Sequence, residues 1–524
     1  MYSILDMGTT NTRLYLCEEN KIVQEIKGEF GASYGKKHGR ECLGERFKAL
    51  LDELLSKCGL EACELENIVA VGMAGSEIGL CDTPHIPLPV DAHILSENVR
   101  VEKLPEIDAP FLFIPGVKKT NGDKLLDMMR GEECEAIGIA TAISLDEDAL
   151  FILPGTHNKI VEINKDGKVT DLRTTFSGEL LDSVVSNTIL AGEVTHDFQI
   201  VEPFLLKGAL YAKENGINAA LFQIRVMAKN GVGTHELSSF LYGSVISEDV
   251  SLIKRLAAGK KIYVGGRKNL REAYALLLGE ENAFALDDEI CSSAMIRGAM
   301  LIRKIYGALS RRAAVISQIE KKKVIAIIRD AEAETCIDAA EALYEGGIRL
   351  AEVTFDRSGK KSTQETAAII RMLAEKFGEK MYIGAGTVTR IDEVFAAFDA
   401  GAVYVISPNC DSEIISLTRK LGMVSIPAAY TGSEIAAAMN CGADYVKLFP
   451  AHGVSAEYVK AICAPLSDAK LLAVGGVNAE NASQFFKMGF HGIGVGSNLY
   501  DKKLIREKKF DELRELARKY SSLV

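Results

Sequence analysis

From residue 324 to residue 495 the chain returns eight times to a short apolar run, beginning near Val324, Leu350, Met381, Val403, Met423, Asp444, Leu471 and Gly492, with helical patterns such as 365–377 and 391–400 in the intervals. This alternation restricts the fold to a parallel sheet covered by helices, because parallel neighbours need long crossover connections that bury both sheet faces. Eight repeats suit a closed (β/α)8 barrel, and an open doubly wound sheet can be built from the same alternation. The polar residues favour the barrel. Glu352, Thr387, Ser407, Lys447, Gly475 with Gly476, and Gly496 with Ser497 all fall at or near strand carboxyl ends, the face on which barrels assemble sites from several strands.

Lys447 interrupts an apolar strand, Asp444-Tyr445-Val446-Lys447-Leu448-Phe449-Pro450. A lysine buried there loses its proton more easily and becomes a nucleophile. Taken alone it reads more readily as a strand-end lysine whose ammonium snorkels to water. Its company decides, since Glu352 and Thr387 stand in or just after similar apolar runs. The pairs Gly475–Gly476 and Gly496–Ser497, in the loops after the seventh and eighth strands, offer freed backbone amides for a phosphate.

A length of 524 residues implies two or more domains, and 48% hydrophobic with 25% charged residues is ordinary for a globular protein. The net charge of -11 and the lack of a long Lys/Arg run argue against nucleic acid as a partner. Eleven scattered cysteines, with no CxxC pair or zinc spacing, suggest reduced thiols and no structural metal. The first residues enter a strand at once and no apolar run is long enough for a bilayer, so the expected location is the cytoplasm, away from membranes.

Residues 321–524 resemble the class I aldolases of 2-keto-3-deoxy-6-phospho-sugar acids. The motifs are Glu352-Val353-Thr354, Gly384-Ala385-Gly386-Thr387-Val388, Ile406-Ser407-Pro408, Val446-Lys447-Leu448-Phe449-Pro450, Ala473-Val474-Gly475-Gly476-Val477 and Gly496-Ser497, in family order. The resemblance implies Lys447 as the Schiff-base lysine, Glu352 as acid/base, Thr387 at the substrate, and Pro408 and Phe449 as pocket walls, with no metal. Val474 before the paired glycines looks like the galactonate-type enzymes, where gluconate-type relatives usually have threonine. One departure stands out: the arginine expected four residues after Glu352 is Asp356, leaving Arg357 or Arg329 to bind a carboxylate. Trimeric barrels are usual among such aldolases, so a homo-oligomer, possible as a trimer, is expected.

The amino-terminal part opens with a strand, the turn Asp6-Met7-Gly8-Thr9-Thr10-Asn11-Thr12-Arg13, and a return strand. Such a hairpin can hold phosphate oxygens by amides and hydroxyls while Asp6 orients Mg2+ through water. The plan recurs at Leu153-Pro154-Gly155-Thr156-His157, and a glycine turn, Gly265-Gly266, follows later. Two copies suggest two lobes facing a nucleotide, as in the actin and hexokinase superfamily. Leu153 stands where Asp6 stands in the first copy, so only the first lobe is expected to hold metal.

Residues 1–305 resemble the 2-dehydro-3-deoxygalactonokinases, through Gly72-Met73-Ala74-Gly75-Ser76, Ile114-Pro115-Gly116-Val117, Met129-Arg130-Gly131-Glu132-Glu133, Leu153-Pro154-Gly155-Thr156-His157 and Ser177-Gly178-Glu179-Leu180. The resemblance implies ATP and Mg2+. Gly8, Thr9, Thr10, Gly155, Thr156, Gly265 and Gly266 are then nucleotide-binding, and Asn11, Arg13 and Arg130 substrate-binding. Glu132 is the first choice of base, with Asp127 and Asp6 as alternatives and Asp6 better suited to the metal. Lys159 is a further phosphate candidate, and for each of these cations a surface ion pair is the competing reading.

Residues 306–320 read as a helical linker, and the basic residues of 302–323 as a solvated face. The whole chain therefore reads as a kinase and an aldolase of galactonate breakdown acting in sequence on small sugar acids. The alternatives are the gluconate-series epimer, or a non-catalytic sugar sensor fused to an aldolase.

Overall fold

The computed structural model describes residues 1–105, 107–279 and 281–524. It divides into two compact units, Met1–Lys304 and Ile305–Val524.

Two sheets of the first unit share one plan. Tyr2–Met7 pairs antiparallel with Thr12–Glu18 and parallel with Ile68–Gly72. Ala149–Leu153 likewise pairs antiparallel with Asn158–Ile163 and parallel with Lys261–Val264. A third antiparallel strand completes each meander, Lys21–Gly28 in one and Val169–Thr175 in the other. The leading strand of each is buried along nearly its whole length, which explains its continuous apolar run. Helices cover each sheet. Arg40–Cys58 buries Leu43, Phe47, Leu50, Leu51, Leu54 and Leu55, a helical stripe, and stops at Gly59 in the left-handed conformation. The repeated hairpin of the sequence thus corresponds to two sheets built on one plan.

A helix, Asp288–Lys322, covers the expected linker. Its basic residues are not all solvated. Arg303 lies 3.7 Å over the Tyr2 ring and donates to Glu66 at 2.6 Å, and Arg312 pairs with Asp444. Packing of both helix ends against apolar cores brings these side chains to partners that charge pattern alone did not reveal.

The second unit is a parallel barrel that excludes the open-sheet alternative. Val324–Ile328, Leu350–Thr354, Tyr382–Gly386, Tyr404–Ile406 and Val424–Ile426 pair in chain order, then Ala428–Ala429, Val446–Leu448, Leu471–Val474 and Gly492–Val495, and the last pairs with the first. The fifth strand is split at Pro427, which has no N–H for the ladder. Its first part pairs with the fourth strand and its second part with the sixth, so the chain itself closes the barrel. Val315 and Ile319 of the long helix join Ile325, Leu350, Tyr382, Val424 and Leu472 in the barrel's apolar core.

Candidate active sites

Glu352, on the second barrel strand, is 2% exposed, and Lys447, on the sixth, is 8% exposed. The Lys447 backbone is fixed on both sides by Ala428 and Leu472, and its amide donates to the Pro427 carbonyl at 2.9 Å. Burial pushes the Glu352 carboxyl up to about 7, against the opposing charges of Lys447 and Arg329. Burial lowers the Lys447 ammonium, with Glu352 opposing and Arg329 adding to the shift. Strands two and six stand across an eight-stranded barrel, so charges that act on each other this way project into its interior. Lys447 Nζ lies 4.8 Å from the centre of the Phe449 ring, which is 42% exposed and walls the mouth. Glu352 Oε2 has no hydrogen-bond partner among the described residues. An amine whose proton is loosened by burial, facing a carboxyl pushed up to about 7, is equipped for imine chemistry.

The neighbouring candidates divide. Thr387 holds φ +60 directly after the third strand, and its carbonyl accepts from Arg357 at 2.6 Å. Arg357 also pairs with the buried Glu393 at 2.5 Å, so its guanidinium is committed to the rim. Arg329 is the arginine whose charge reaches both Glu352 and Lys447. Asp356, in the place of the expected arginine, accepts from Ser358 and from the amides of Lys360 and Lys361, and these bonds hold its carboxyl well below the usual range. Pro408 follows the buried Ser407 at the end of the fourth strand.

In the seventh loop, Gly475 and Gly476 hold φ +94 and +78. A Cβ on Gly476 would stand 2.5 Å from His452 Cβ, and one on Gly475 3.1 Å from the Phe449 ring. Asn498, directly after Gly496 and Ser497, donates to the Val477 carbonyl at 2.8 Å and ties the two glycine loops together.

In the first unit, the Gly8 amide donates to the Asn11 carbonyl at 2.8 Å, closing a turn that carries Thr9 and Thr10 on its surface. Asp6 opposes Arg13 across the hairpin, and burial pushes its carboxyl up to about 6, with Arg13 pulling it down. Gly131 packs against Gly72, where a Cβ would approach Gly72 Cα to 3.2 Å, and this brings the start of the helix Glu132–Ile143 to the end of the Asp6 strand. Burial raises the Glu132 carboxyl, opposed by Lys159 and His157 of the second hairpin, and pushes Glu135 up to about 8, with Glu132 and Asp6 adding. Glu132 thus feels the charges of the second hairpin, and Glu135 those of Glu132 and of Asp6 in the first.

Three further candidates have partners of their own. Asp127 accepts from the Thr174 hydroxyl at 2.6 Å and its amide at 2.7 Å, and Arg130 donates to the Thr83 hydroxyl and carbonyl at 2.7 and 2.6 Å and contacts His85 at 3.1 Å. Lys159 donates to the Met128 carbonyl and the Thr174 hydroxyl, both at 2.9 Å.

The second hairpin is propped by a buried network absent from the sequence reading. Gly155 N–H donates to Asn158 at 3.2 Å; Asn158 donates to Asp249 and Tyr274, and Tyr274 and Thr175 donate to Asp249 at 2.6 and 2.9 Å. Asp249 lies mid-helix and Tyr274 on another helix, so no local pattern marks them. Gly178 abuts Gly155, where a Cβ would stand 1.8 Å from the Gly155 carbonyl oxygen, and Gly266 abuts Pro154. Gly155 and Thr156 line a cavity of about 220 Å³ together with His196, Tyr242 and Arg267, the residue that follows the Gly265-Gly266 turn.

The sequence pattern of the family described as 2-keto-3-deoxy-galactonokinase matches residues 6–301, and that of KDPG and KHG aldolase matches residues 315–516. The 2-dehydro-3-deoxy-6-phosphogalactonate aldolase of Escherichia coli (strain K12) is 33% identical over 181 residues, 34% of this chain and 85% of that protein. The 2-dehydro-3-deoxy-phosphogluconate aldolase of Haemophilus influenzae is 26% identical over 211 residues, 40% of this chain and 96% of that protein. A solved structure provisionally named a 2-dehydro-3-deoxygalactonokinase, from Sinorhizobium meliloti, has 23% identity and a TM-score of 0.48, covering 58% of this chain and 98% of that one.

Proposed function

We infer, from a chain that belongs to the 2-keto-3-deoxy-galactonokinase family over residues 6–301 and to the KDPG and KHG aldolase family over residues 315–516, that this bifunctional kinase and lyase carries out two successive steps on one sugar acid. The first phosphorylates 2-dehydro-3-deoxygalactonate at its 6-hydroxyl; the second cleaves the phosphorylated product to pyruvate and glyceraldehyde 3-phosphate. The observation that carries the second step is the buried pair of Lys447 and Glu352, each shifted toward its neutral form. The galactonate series is supported by Val474 before the paired glycines and by the 33% identity to the phosphogalactonate aldolase.

In the barrel, the Lys447 amine adds to the C2 ketone and the carbinolamine loses water to give a protonated imine. Glu352 takes the proton of the C4 hydroxyl as the C3–C4 bond breaks, and those electrons are stored in the imine as an enamine. The glyceraldehyde 3-phosphate leaves, the enamine is protonated at C3, and hydrolysis frees pyruvate and Lys447. Arg329 is the arginine best placed for a substrate carboxylate, and the amides around Gly475, Gly476, Gly496 and Ser497 suit the phosphate.

In the kinase, Glu132 accepts the 6-hydroxyl proton as that oxygen attacks the γ-phosphorus of ATP and ADP leaves. The turns Gly8-Thr9-Thr10 and Gly155-Thr156, with Gly265-Gly266, cradle the nucleotide, and Asn11 and Arg13 stand beside the first turn for substrate. The Asp6 carboxyl, half-buried at the end of the first strand, fits Mg2+. Among the described residues no group of three or more His, Cys, Asp or Glu is placed to hold a metal, which suits Mg2+ kept by one carboxylate, water and phosphate oxygens. When bound, that ion neutralises developing phosphate charge. Arg130 and Arg357 act in this reading as supports rather than substrate contacts.

Domain limits of 1–305 and 321–524 around a helical segment at 306–320, a cytoplasmic location, and a homo-oligomer through the barrel, possible as a trimer, belong to the same reading. Among the described residues no helix is long and apolar enough to cross a membrane. The test is the purified full chain given 2-dehydro-3-deoxygalactonate with and without ATP and Mg2+. ADP and pyruvate should appear in equal amounts, and only with ATP; no pyruvate with ATP, or a faster reaction with the gluconate-series epimer, would contradict the assignment.

A further inference from the structure

The barrel interior holds a second buried polar group near Glu352 that the reaction described above does not use. Tyr404, the first residue of the fourth strand, is 0% exposed, yet its Oη has no hydrogen-bond partner among the described residues. A phenylalanine would fill the same space without burying an unsatisfied hydroxyl, so the oxygen asks for an explanation.

The third strand supplies one. Glu352 opposes Gly384, and Ala385 opposes Val405, which sets Gly384 beside Tyr404. A Cβ on Gly384 would stand 2.1 Å from Tyr404 Cε2 and 2.5 Å from Cζ, the atom that carries the hydroxyl. A Cβ on Gly386 would stand 2.4 Å from Glu352 Oε2 and 2.7 Å from its Cδ. Residues two apart on a strand share a face and lie roughly 7 Å from each other. The two glycines on the inner face of this strand therefore seat a phenol from one neighbouring strand and a carboxyl from the other. The oxygen of Glu352 lying over Gly386 is also the one without a partner.

Glu352 is faced by Lys447, Arg329 and Tyr404, and the charge acting on Tyr404 is that of Glu352. Burial, with Glu352 adding, holds the phenol well above its ordinary range, so it stays protonated and available as a donor wherever the enzyme works.

We propose that Tyr404 is a positioning residue for the aldolase reaction, its hydroxyl donating toward Glu352 Oε2 through one enclosed water and holding the carboxyl where it meets the substrate. Two buried polar atoms without protein partners can be satisfied together by one water that bonds to both. The donor favours the carboxylate, so it lowers the pH at which Glu352 becomes a base. The inference rests on Glu352 being the acid/base of the cleavage.

The test compares pH profiles of aldolase kcat for the full-length protein, for Tyr404→Phe, for 3-fluorotyrosine incorporated at position 404, and for Glu352→Gln. Tyr404→Phe should keep its melting temperature and kinase rate, lose about tenfold in kcat, and move the acidic limb of its profile to higher pH by roughly half a unit or more. Fluorotyrosine, a stronger donor of nearly the same size, should move that limb the other way, and it decides the matter if the phenylalanine variant fails to fold. A native profile and rate in both Tyr404 variants, with Glu352→Gln inactive, would overturn the inference and leave the reading of Glu352 intact. A fully active Glu352→Gln would overturn both.

Discussion

Glu352 and Lys447 stand on the second and sixth strands of the barrel, and each is shifted toward neutrality by burial while the other's charge opposes the shift. The opposition is incomplete, which leaves an amine able to attack and a carboxyl able to exchange protons near pH 7.

That arrangement works against stability. The Glu352 carboxyl titrates higher in the folded chain, near 7, than its ordinary 4.5, so the stability linked to its proton is fully present below 4.5 and lost as pH rises through about 7. Glu352→Gln should therefore gain on the native chain between those values, by about 3 kcal/mol at most, and less because Lys447 loses its opposing charge. Melting temperatures measured from pH 4.5 to 8 check this. The same variant should lose on the order of 10²- to 10⁴-fold in aldolase kcat with kinase activity unchanged.

Glu132→Gln should give the complementary separation. Kinase turnover is expected to fall on the order of a hundredfold or more, with cleavage of phosphorylated substrate unaffected. Because burial raises the Glu132 carboxyl, native kinase activity should decline on acidification at a pH above that of an ordinary glutamate. An Asp127→Asn enzyme that lost activity as deeply while retaining its melting temperature would move the base to Asp127.

The third barrel strand tolerates no side chain at two positions. Gly386→Ala would press on Glu352 Oε2 and should lower aldolase kcat more than it lowers stability. Gly384→Ala meets the ring of Tyr404 and should destabilise the aldolase unit by about 1–3 kcal/mol, as overpacking does. Parallel denaturation and activity measurements distinguish the two.

Tyr274→Phe removes one donor to the buried Asp249 and slackens the support beneath Gly155. A stability loss of about 1–3 kcal/mol and a raised KM for ATP, with the KM for the sugar acid unchanged, are expected. Steady-state kinetics with each substrate varied in turn provide the check.

The strand periods and the repeated Gly-Thr hairpin were legible because they are local patterns, and polar residues at one end of eight runs favoured a barrel over the open sheet that the same alternation allows. The pairing of Lys447 with Glu352 was legible because both break apolar runs at strand ends. The side-chain partners of Arg130, Asp127 and Arg357 were not, since each is distant in sequence: Thr83, Thr174 and Glu393. Arg303 and Arg312 read as a solvated face for the same reason. Asn158, Asp249 and Tyr274 meet only through tertiary packing, and Tyr404 looks in the sequence like any aromatic residue of a core strand.

Incubation of the full-length protein with pyruvate and borohydride, followed by peptide mapping, shows directly whether Lys447 forms the imine. Irreversible loss of aldolase activity, retention of kinase activity and a reduced pyruvyl adduct on Lys447 are expected. An adduct on a different lysine, or full aldolase activity in a Lys447→Met variant, would contradict imine formation at Lys447.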